Sequence, residues 1–366
     1  MRISDRYIGR QVLLGTLYAV VVLGIVLVLG NLFQQIRPLM VDKHAPLGLV
    51  FRFVISVLPL SLMYTVPWGF LSAVLLVFGK LSANQEITSF RVAGLSLVRL
   101  SAPVFVIGAL LSVGSLWLNL NVVPYSKASM YQLIYDQASR DPDSLLKPGV
   151  VQGDFRPDGD TFKKVLIEGK SGSWVTGFHF YQTSKTNSLE TTYVHAGRAA
   201  LSVDPDKSQL KVKLENAYFE TCNEKGEIST GFAELAEPLL IDLKDPKTKL
   251  KQSAMTNQQI LDEIAANPDL PKKKKVSLRA EITKRYSFSM ACLAFAFVAV
   301  PLGLNSRRKE TSGGLIISLL IGTGYFLVTM LANQFKTDTG AMLVLWAPNA
   351  ACVLLGLFLF RRARFR

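Results

Sequence analysis

The residues that could do chemistry in this 366-residue chain are few, and most are spaced wrongly for it. A phosphate-cradling loop needs G-x-x-x-x-G-K-[ST], because backbone amides must wrap the phosphates while the lysine meets the terminal one. Gly169-Lys170-Ser171 matches only the end of that pattern, with Lys164 where the first glycine belongs, and it reads as a turn. His44, His179 and His195 stand far apart and show no metal-ligand spacing with cysteine or carboxylate. No G-x-S-x-G nucleophile elbow occurs. These absences point away from an enzyme and toward no cofactor or metal.

One polar stretch is more informative: Leu81-Ser82-Ala83-Asn84-Gln85-Glu86-Ile87-Thr88-Ser89-Phe90-Arg91-Val92-Ala93-Gly94-Leu95-Ser96. Apolar Ile87, Phe90 and Val92 set among Glu86 and Arg91 read as a short amphipathic helix, with Gly94 at the C′ position just past its end. Local features leave two roles open. It is either a capped interfacial turn or a coupling helix that docks into a motor subunit.

The elements around this loop are set by where charge is missing. Hydrophobic residues make up 49% of the chain and charged ones 19%, with a mean hydropathy of +0.29, high for a water-soluble protein. A helix needs ~20 largely apolar residues to cross ~30 Å of hydrocarbon. Six stretches contain no Asp, Glu, Lys or Arg: Gln11–Ile36, Phe53–Gly79, Leu100–Ser126, Tyr286–Ser306, Thr311–Phe335 and Thr339–Phe360. Each is long enough to span, so six transmembrane helices are expected, three on either side of a segment of about 160 residues. Pro59 and Pro67 should interrupt the second span. Gly313, Gly314, Ser318, Gly322 and Gly324 in the fifth suit close helix approach, within this chain or against a partner.

Positive residues in short loops are retained in the cytoplasm. With the N-terminus inside, thirteen Lys and Arg flank the spans on the inner side, from Arg2, Arg6 and Arg10 to Arg361, Arg362, Arg364 and Arg366. Only Arg37, Lys43, Arg52 and Lys336 lie in the short outer loops. Both termini and the Glu86 loop are therefore expected in the cytoplasm, and Lys127–Arg285 outside. That outer segment holds 24 basic and 22 acidic residues, so +12 of the net +14 flanks the membrane. The basicity is topological and does not imply nucleic acid. The run Lys272–Lys275 is basic yet outside, which long translocated domains tolerate.

Within the outer segment, Thr161–Ile167, Trp174–Thr183, Thr191–Val203, Gln209–Glu220 and Leu239–Leu243 are rich in β-branched and aromatic residues and separated by turn clusters, as in a β-sandwich or roll. Thr256 is a candidate N-cap for Asn257–Ala266, stopped by Asn267-Pro268, and Lys273–Arg285 is expected to run as helix directly into the fourth span. The single cysteine of this segment, Cys222, rules out a disulfide framework there. The N-terminal apolar stretch is too long for a cleavable signal and reads as the first anchor.

Short motifs in a fixed order give the chain a family resemblance. Asp5-Arg6-Tyr7-Ile8, Gly79-Lys80-Leu81 with Glu86-Ile87 and Ala93-Gly94-Leu95, Arg279-Ala280-Glu281, Val300-Pro301-Leu302 and Trp346-Ala347-Pro348-Asn349 resemble the lipopolysaccharide export permeases LptF and LptG over nearly the whole chain. The Gly-Lys-Leu and Arg-Ala-Glu runs look more like LptF. The resemblance implies an α-helical membrane protein with six transmembrane helices plus an inserted all-β periplasmic jelly-roll-like domain, in the bacterial inner membrane. The divisions expected are 1–126 for the first three spans with the coupling helix, 127–272 for the periplasmic domain and its helical linkers, and 273–366 for the last three spans.

The same resemblance implies a non-catalytic permease subunit of an ABC transporter. It would work with a second LptF/LptG-type permease, a dimer of the ATPase LptB, and LptC with an LptA-like periplasmic bridge that receives lipopolysaccharide. It places Glu86 at the ATPase interface, with Arg91 and Gly94 on the same helix. Cations near the outer end of the first span contact lipid phosphates in the family, which makes Arg37 a candidate, with Lys43 and Arg52 as substitutes. Asn31 and Gln34 stand where some members carry cations. The alternative function is a membrane-anchored envelope sensor or assembly scaffold with a ligand-binding β-domain.

Overall fold

A computed structural model describes residues 3–35, 47–140, 148–153, 161–171, 174–184, 190–204, 209–223, 226–235, 238–242, 250–304, 311–332, 335 and 337–364. Contacts divide the chain into a helical unit, 1–37 with 45–129 and 251–366, and a second unit, 38–44 with 130–250.

The helical unit contains α1 (Ile3–Gln35), α2 (Leu47–Ala83), the short α3 (Glu86–Val92) and α4 (Leu97–Trp117). A π-helical turn, Leu118–Val122, leads into α5 (Val123–Arg140), within which the chain passes to the second unit. After the β-strands come α6 (Asn257–Ala266), α7 (Lys272–Ser289), α8 (Ala291–Leu304), α9 (Thr311–Leu331) and α10 (Asp338–Arg364). Among the described residues five helical runs are long and apolar enough to cross a bilayer, and the α7–α8 pair, bent by 41°, makes a sixth when counted as one span.

Bilayer lipid is as apolar as leucine, so helices associate in it through close packing and polar contacts more than through hydrophobic burial. The sequence supplies both. In α8, Ala291, Cys292, Ala294, Ala296 and Ala299 are small and buried, and α2 contributes Phe70, Leu71, Val74, Leu75 and Phe78 to the same core. A Cβ on Gly303 would sit 2.8 Å from the Cβ of Phe78, and one on Gly356 would lie 2.4 Å from the Phe297 carbonyl oxygen, so α8 touches α2 and α10 nearly backbone to backbone. Gly314, Ser318 and Gly322 of α9 also face α2. Ser72 Oγ donates to Ser318 Oγ at 3.1 Å, and Trp68 lies 3.0 Å from where a Cβ on Gly322 would stand.

The expected interruption of the second span does not take the form of a break. Pro59 and Pro67 lie inside one unbroken helix of 37 residues. The break falls instead inside the fourth span, at Met290: Lys273–Arg285 runs as helix directly into that span, as expected, and the bend comes four residues further on.

Among its described residues the second unit holds seven strands: β1 (Gln152–Gly153), β2 (Thr161–Ser171), β3 (Trp174–Ser184), β4 (Thr191–Asp204), β5 (Gln209–Cys222), β6 (Ile228–Leu235) and β7 (Leu239–Asp242). All pairings are antiparallel, β1 to β6 run in sequence order, and β7 pairs with the start of β5. Among the described residues this is a meander in one sheet. Gly169-Lys170-Ser171, read as a turn from sequence, is strand: Lys170 pairs with Val175 and Ser171 with Trp174. Strand β6, with Gly231 at its centre, was not anticipated, since glycine and polar residues weaken its β signal.

One row of residues creases the sheet. Glu168, Gly177, Gly197, Asn216 and Glu234 are the positions that each pairing skips between paired neighbours, so the ladders are interrupted along one line. In β3 the buried positions are Val175 before the row and Phe178 and Phe180 after it; in β5 they are Val212 and Leu214 before and Ala217 after. Inward-facing residues thus change from odd to even, or the reverse, on crossing the row, while the strands keep register. Gly177 (φ +61°) and Asn216 (φ +54°) supply the left-handed backbone this requires. Both halves therefore bury their apolar faces in a single core.

Candidate functional site

The loop from Leu81 to Ser96 is built as its residues suggest. Helix α3 turns Ile87 into the helical core, where it is 6% exposed, and Phe90 packs alongside it. Thr88, Ser89, Arg91 and Val92 face outward, Val92 at 84% exposure. Gly94 has φ +85°, and a Schellman pair closes the helix: Gly94 N–H donates to the Arg91 carbonyl and Leu95 N–H to that of Phe90, both at 3.0 Å. Ser96 then caps α4 by accepting from the Arg99 N–H at 3.3 Å.

Glu86 is held from two sides. Tyr7 Oη of α1 donates to Glu86 Oε2 at 3.0 Å, and Asn84 Nδ2 donates to Oε1 at 3.2 Å. Arg99 lies 4.0 Å from Asp5, also on α1. Asp5 and Tyr7, which the sequence showed only as part of a motif, thus tie the N-terminus of α1 to this loop. The signal was there in residue type, but a contact 79 positions away in the chain cannot be read from it.

Of the three cations proposed to meet lipid phosphate, Arg37 and Lys43 lie outside the described residues. Arg52 is exposed on α2, and its carbonyl accepts from Ser56 Oγ at 3.0 Å. His179 and His195, remote in sequence, are cross-strand neighbours with ring centroids 4.4 Å apart, and His179 Nδ1 lies 2.8 Å from Tyr193 Oη. Among the described residues no group of three or more His, Cys, Asp and Glu could hold a metal ion.

The polar contacts that sequence reading missed gather on α7. Arg285, 3% exposed, donates through Nη1 to Asn257 Oδ1 at 2.8 Å and through Nη2 to the Met255 carbonyl at 2.7 Å, with Glu281 at 4.0 Å from its Nε. These bonds clasp the start of α6, where Thr256 and Gln259 form the reciprocal capping box. The Lys272–Lys275 run serves the same clasp: Lys274 Nζ pairs with Glu263 at 3.2 Å, and Lys275 Nζ donates to the Pro268 carbonyl. On the far side of α7, Arg279 pairs with Asp338 of α10 at 2.6 Å.

Apolar helices of spanning length around a polar, short-helix loop, with a β-unit inserted between them, define a multi-pass membrane protein. The sequence profile of the family described as lipopolysaccharide export system permease LptF/LptG matches residues 6–362, and the chain belongs to that family. Compared with curated proteins one by one, the chain has no significant match. The family is an inner-membrane permease of the lipopolysaccharide export system, and its members are transport subunits.

Proposed function

We propose that this chain is the LptF-type permease subunit of an ABC transporter that takes lipopolysaccharide, or a closely related lipid, out of the inner membrane and passes it to a periplasmic bridge. The observation that carries this reading is α3. A seven-residue helix buries Ile87 and Phe90 in the helical core and presents Thr88, Arg91 and Val92 outward, which suits a lever read by another protein. In this reading the bent α7–α8 pair is one of six spans, both termini are cytoplasmic, and residues 127–285 are periplasmic, with the creased sheet as the jelly-roll-like domain that receives the lipid.

A dimer of the ATPase LptB docks on α3, with Glu86, Arg91 and Gly94 forming its seat. A second LptF/LptG-type permease completes the apolar cavity, and LptC and an LptA-like bridge accept the lipid. Arg37, Lys43 and Arg52 meet its phosphates at the outer end of the first two spans. The test is reconstitution of both permeases with LptB in nanodiscs. Wild type shows lipid-stimulated ATP hydrolysis, and Glu86→Arg loses LptB binding, whereas Tyr7→Phe, which removes only the internal tether, keeps it. Failure of the wild-type chain to associate with LptB sinks the reading.

A further inference from the structure

The last residue of the Trp346-Ala347-Pro348-Asn349 motif has no part in the site described so far, yet from α10 it bonds to the end of α7, at a break in the helical unit. Helix α7 stops at Met290, whose φ of −79° and ψ of −6° place it in the bridge region, and α8 sets off at 41°. A break in a membrane helix frees backbone groups that lipid cannot satisfy, so protein groups must.

Those groups come from three other helices. Asn349 Nδ2 donates to the Ser287 carbonyl at 2.8 Å and lies 3.0 Å from Ser287 Oγ, which itself donates to the Leu345 carbonyl at 2.6 Å. Tyr325 Oη of α9 reaches the same Ser287 carbonyl at 3.4 Å and Asn349 Oδ1 at 3.3 Å. Its ring meets Phe288 before the break and Phe295 after it, both edge-on, at 5.6 and 5.3 Å. Beyond the break, the Leu293 N–H donates to Ser112 Oγ of α4 at 3.1 Å. The π-helical turn after α4 lies alongside and places Asn119 Nδ2 2.9 Å from Ser289 Oγ. Ser287, Ser289, Asn119, Tyr325 and Asn349 are all at least nine-tenths buried.

We infer that Asn349 is a positioning residue for transport: it pins the bend of the fourth span by holding the Ser287 carbonyl, with Tyr325 as its support. Two features make this the joint of the span. Each arm carries an attachment of its own, α7 through Arg285 to the start of α6 and α8 through Gly303 to α2, while both meet α10, so a change of bend moves the two attachments against each other about α10. The joint is also made of neutral hydrogen bonds, which can exchange partners without moving charge through the membrane. The consequence for transport rests on the permease reading above.

The experiment uses the full chain in lipid nanodiscs, alone for hydrogen exchange and with its partner permease and ATPase for turnover. Asn349→Leu keeps the number and branching of side-chain heavy atoms and removes the amide. Amide exchange over residues 286–294 is expected to rise about tenfold while that of α9 stays as in wild type, since one buried hydrogen bond is lost locally. Lipid transferred per ATP hydrolysed is expected to fall by about tenfold with ATP turnover held within about twofold, whereas a merely structural defect lowers both in proportion to the complex lost. Asn349→Gln, which keeps the amide, restores part of both readouts. Tyr325→Phe, which keeps the ring, gives a smaller change of the same kind and serves where Asn349→Leu does not fold. Unchanged exchange over 286–294, or raised exchange with unchanged lipid transferred per ATP, overturns the inference. A wild-type complex that moves no lipid counts against the permease reading, and the exchange measurement then decides the role of Asn349 by itself.

Discussion

Helix α2 and the α7–α8 pair answer the same question in opposite ways. Helix α2 carries two internal prolines and runs unbroken for 37 residues; the pair breaks at Ser289–Met290, where there is no proline. Proline removes one donor and crowds one carbonyl, a cost of roughly 3 kcal/mol in an isolated helix. That cost does not decide where a buried helix ends. Helix α2 is packed along its length against α1, α8 and α9, whereas the break in the fourth span has side-chain partners at hand: Asn349 and Tyr325 for the Ser287 carbonyl, Ser112 for the Leu293 N–H. A membrane helix bends where its neighbours can satisfy the bent form.

Substitutions can break this contrast or sharpen it. The largest effect is expected from Arg285→Met, which strips the clasp from the start of α6 and leaves Glu281 with Lys284 as its cation; loss of about 3–5 kcal/mol is expected from breaking a buried charged contact, read as a lowered unfolding midpoint in detergent. Gly356→Leu comes next. A side chain there meets the Phe297 backbone and must push α10 off α8, costing about 3 kcal/mol by overpacking and lowering the yield of monodisperse protein.

Ser112→Ala tests the break more gently. The Leu293 N–H loses its acceptor, and about 1–2 kcal/mol is expected, with faster amide exchange at Leu293 than at Val298. Smallest is Pro59→Ala, expected to change stability by less than about 1 kcal/mol and to leave the contacts of α2 as they are. A gain near the full helix-interior cost of proline would show that α2 is strained after all and would undo the comparison.

Much of the architecture was legible because it is written locally. Missing charge marks an apolar span whatever lies around it, and Gly94 and Thr256 announce helix ends through their own backbone and side-chain bonding. The strands β2 to β5 and β7 were readable from β-branched and aromatic content, and β6 was hidden by Gly231 and its polar neighbours. In the candidate site, Glu86, Arg91 and Gly94 came from pattern and family resemblance, and their outward or inward facing followed from helical period. The contacts that hold them were not legible: Tyr7 reaches Glu86 across 79 positions.

The sequence by itself determined the apolar segments, the caps and the family to which their ordered motifs point, since each depends on residues close together in the chain. Tertiary structure alone decided the rest. The run Ser287-Phe288-Ser289-Met290 has nothing that marks a break; Asn349, 62 positions from Ser287, Tyr325, 38 away, and Ser112, 181 from Leu293, hold it. The crease of the sheet is of the same kind. Gly177, Gly197 and Asn216 are ordinary turn-forming residues until strand register sets them in one row, because a bend shared by neighbouring strands costs little pairing while a bend in one strand alone would break the ladder.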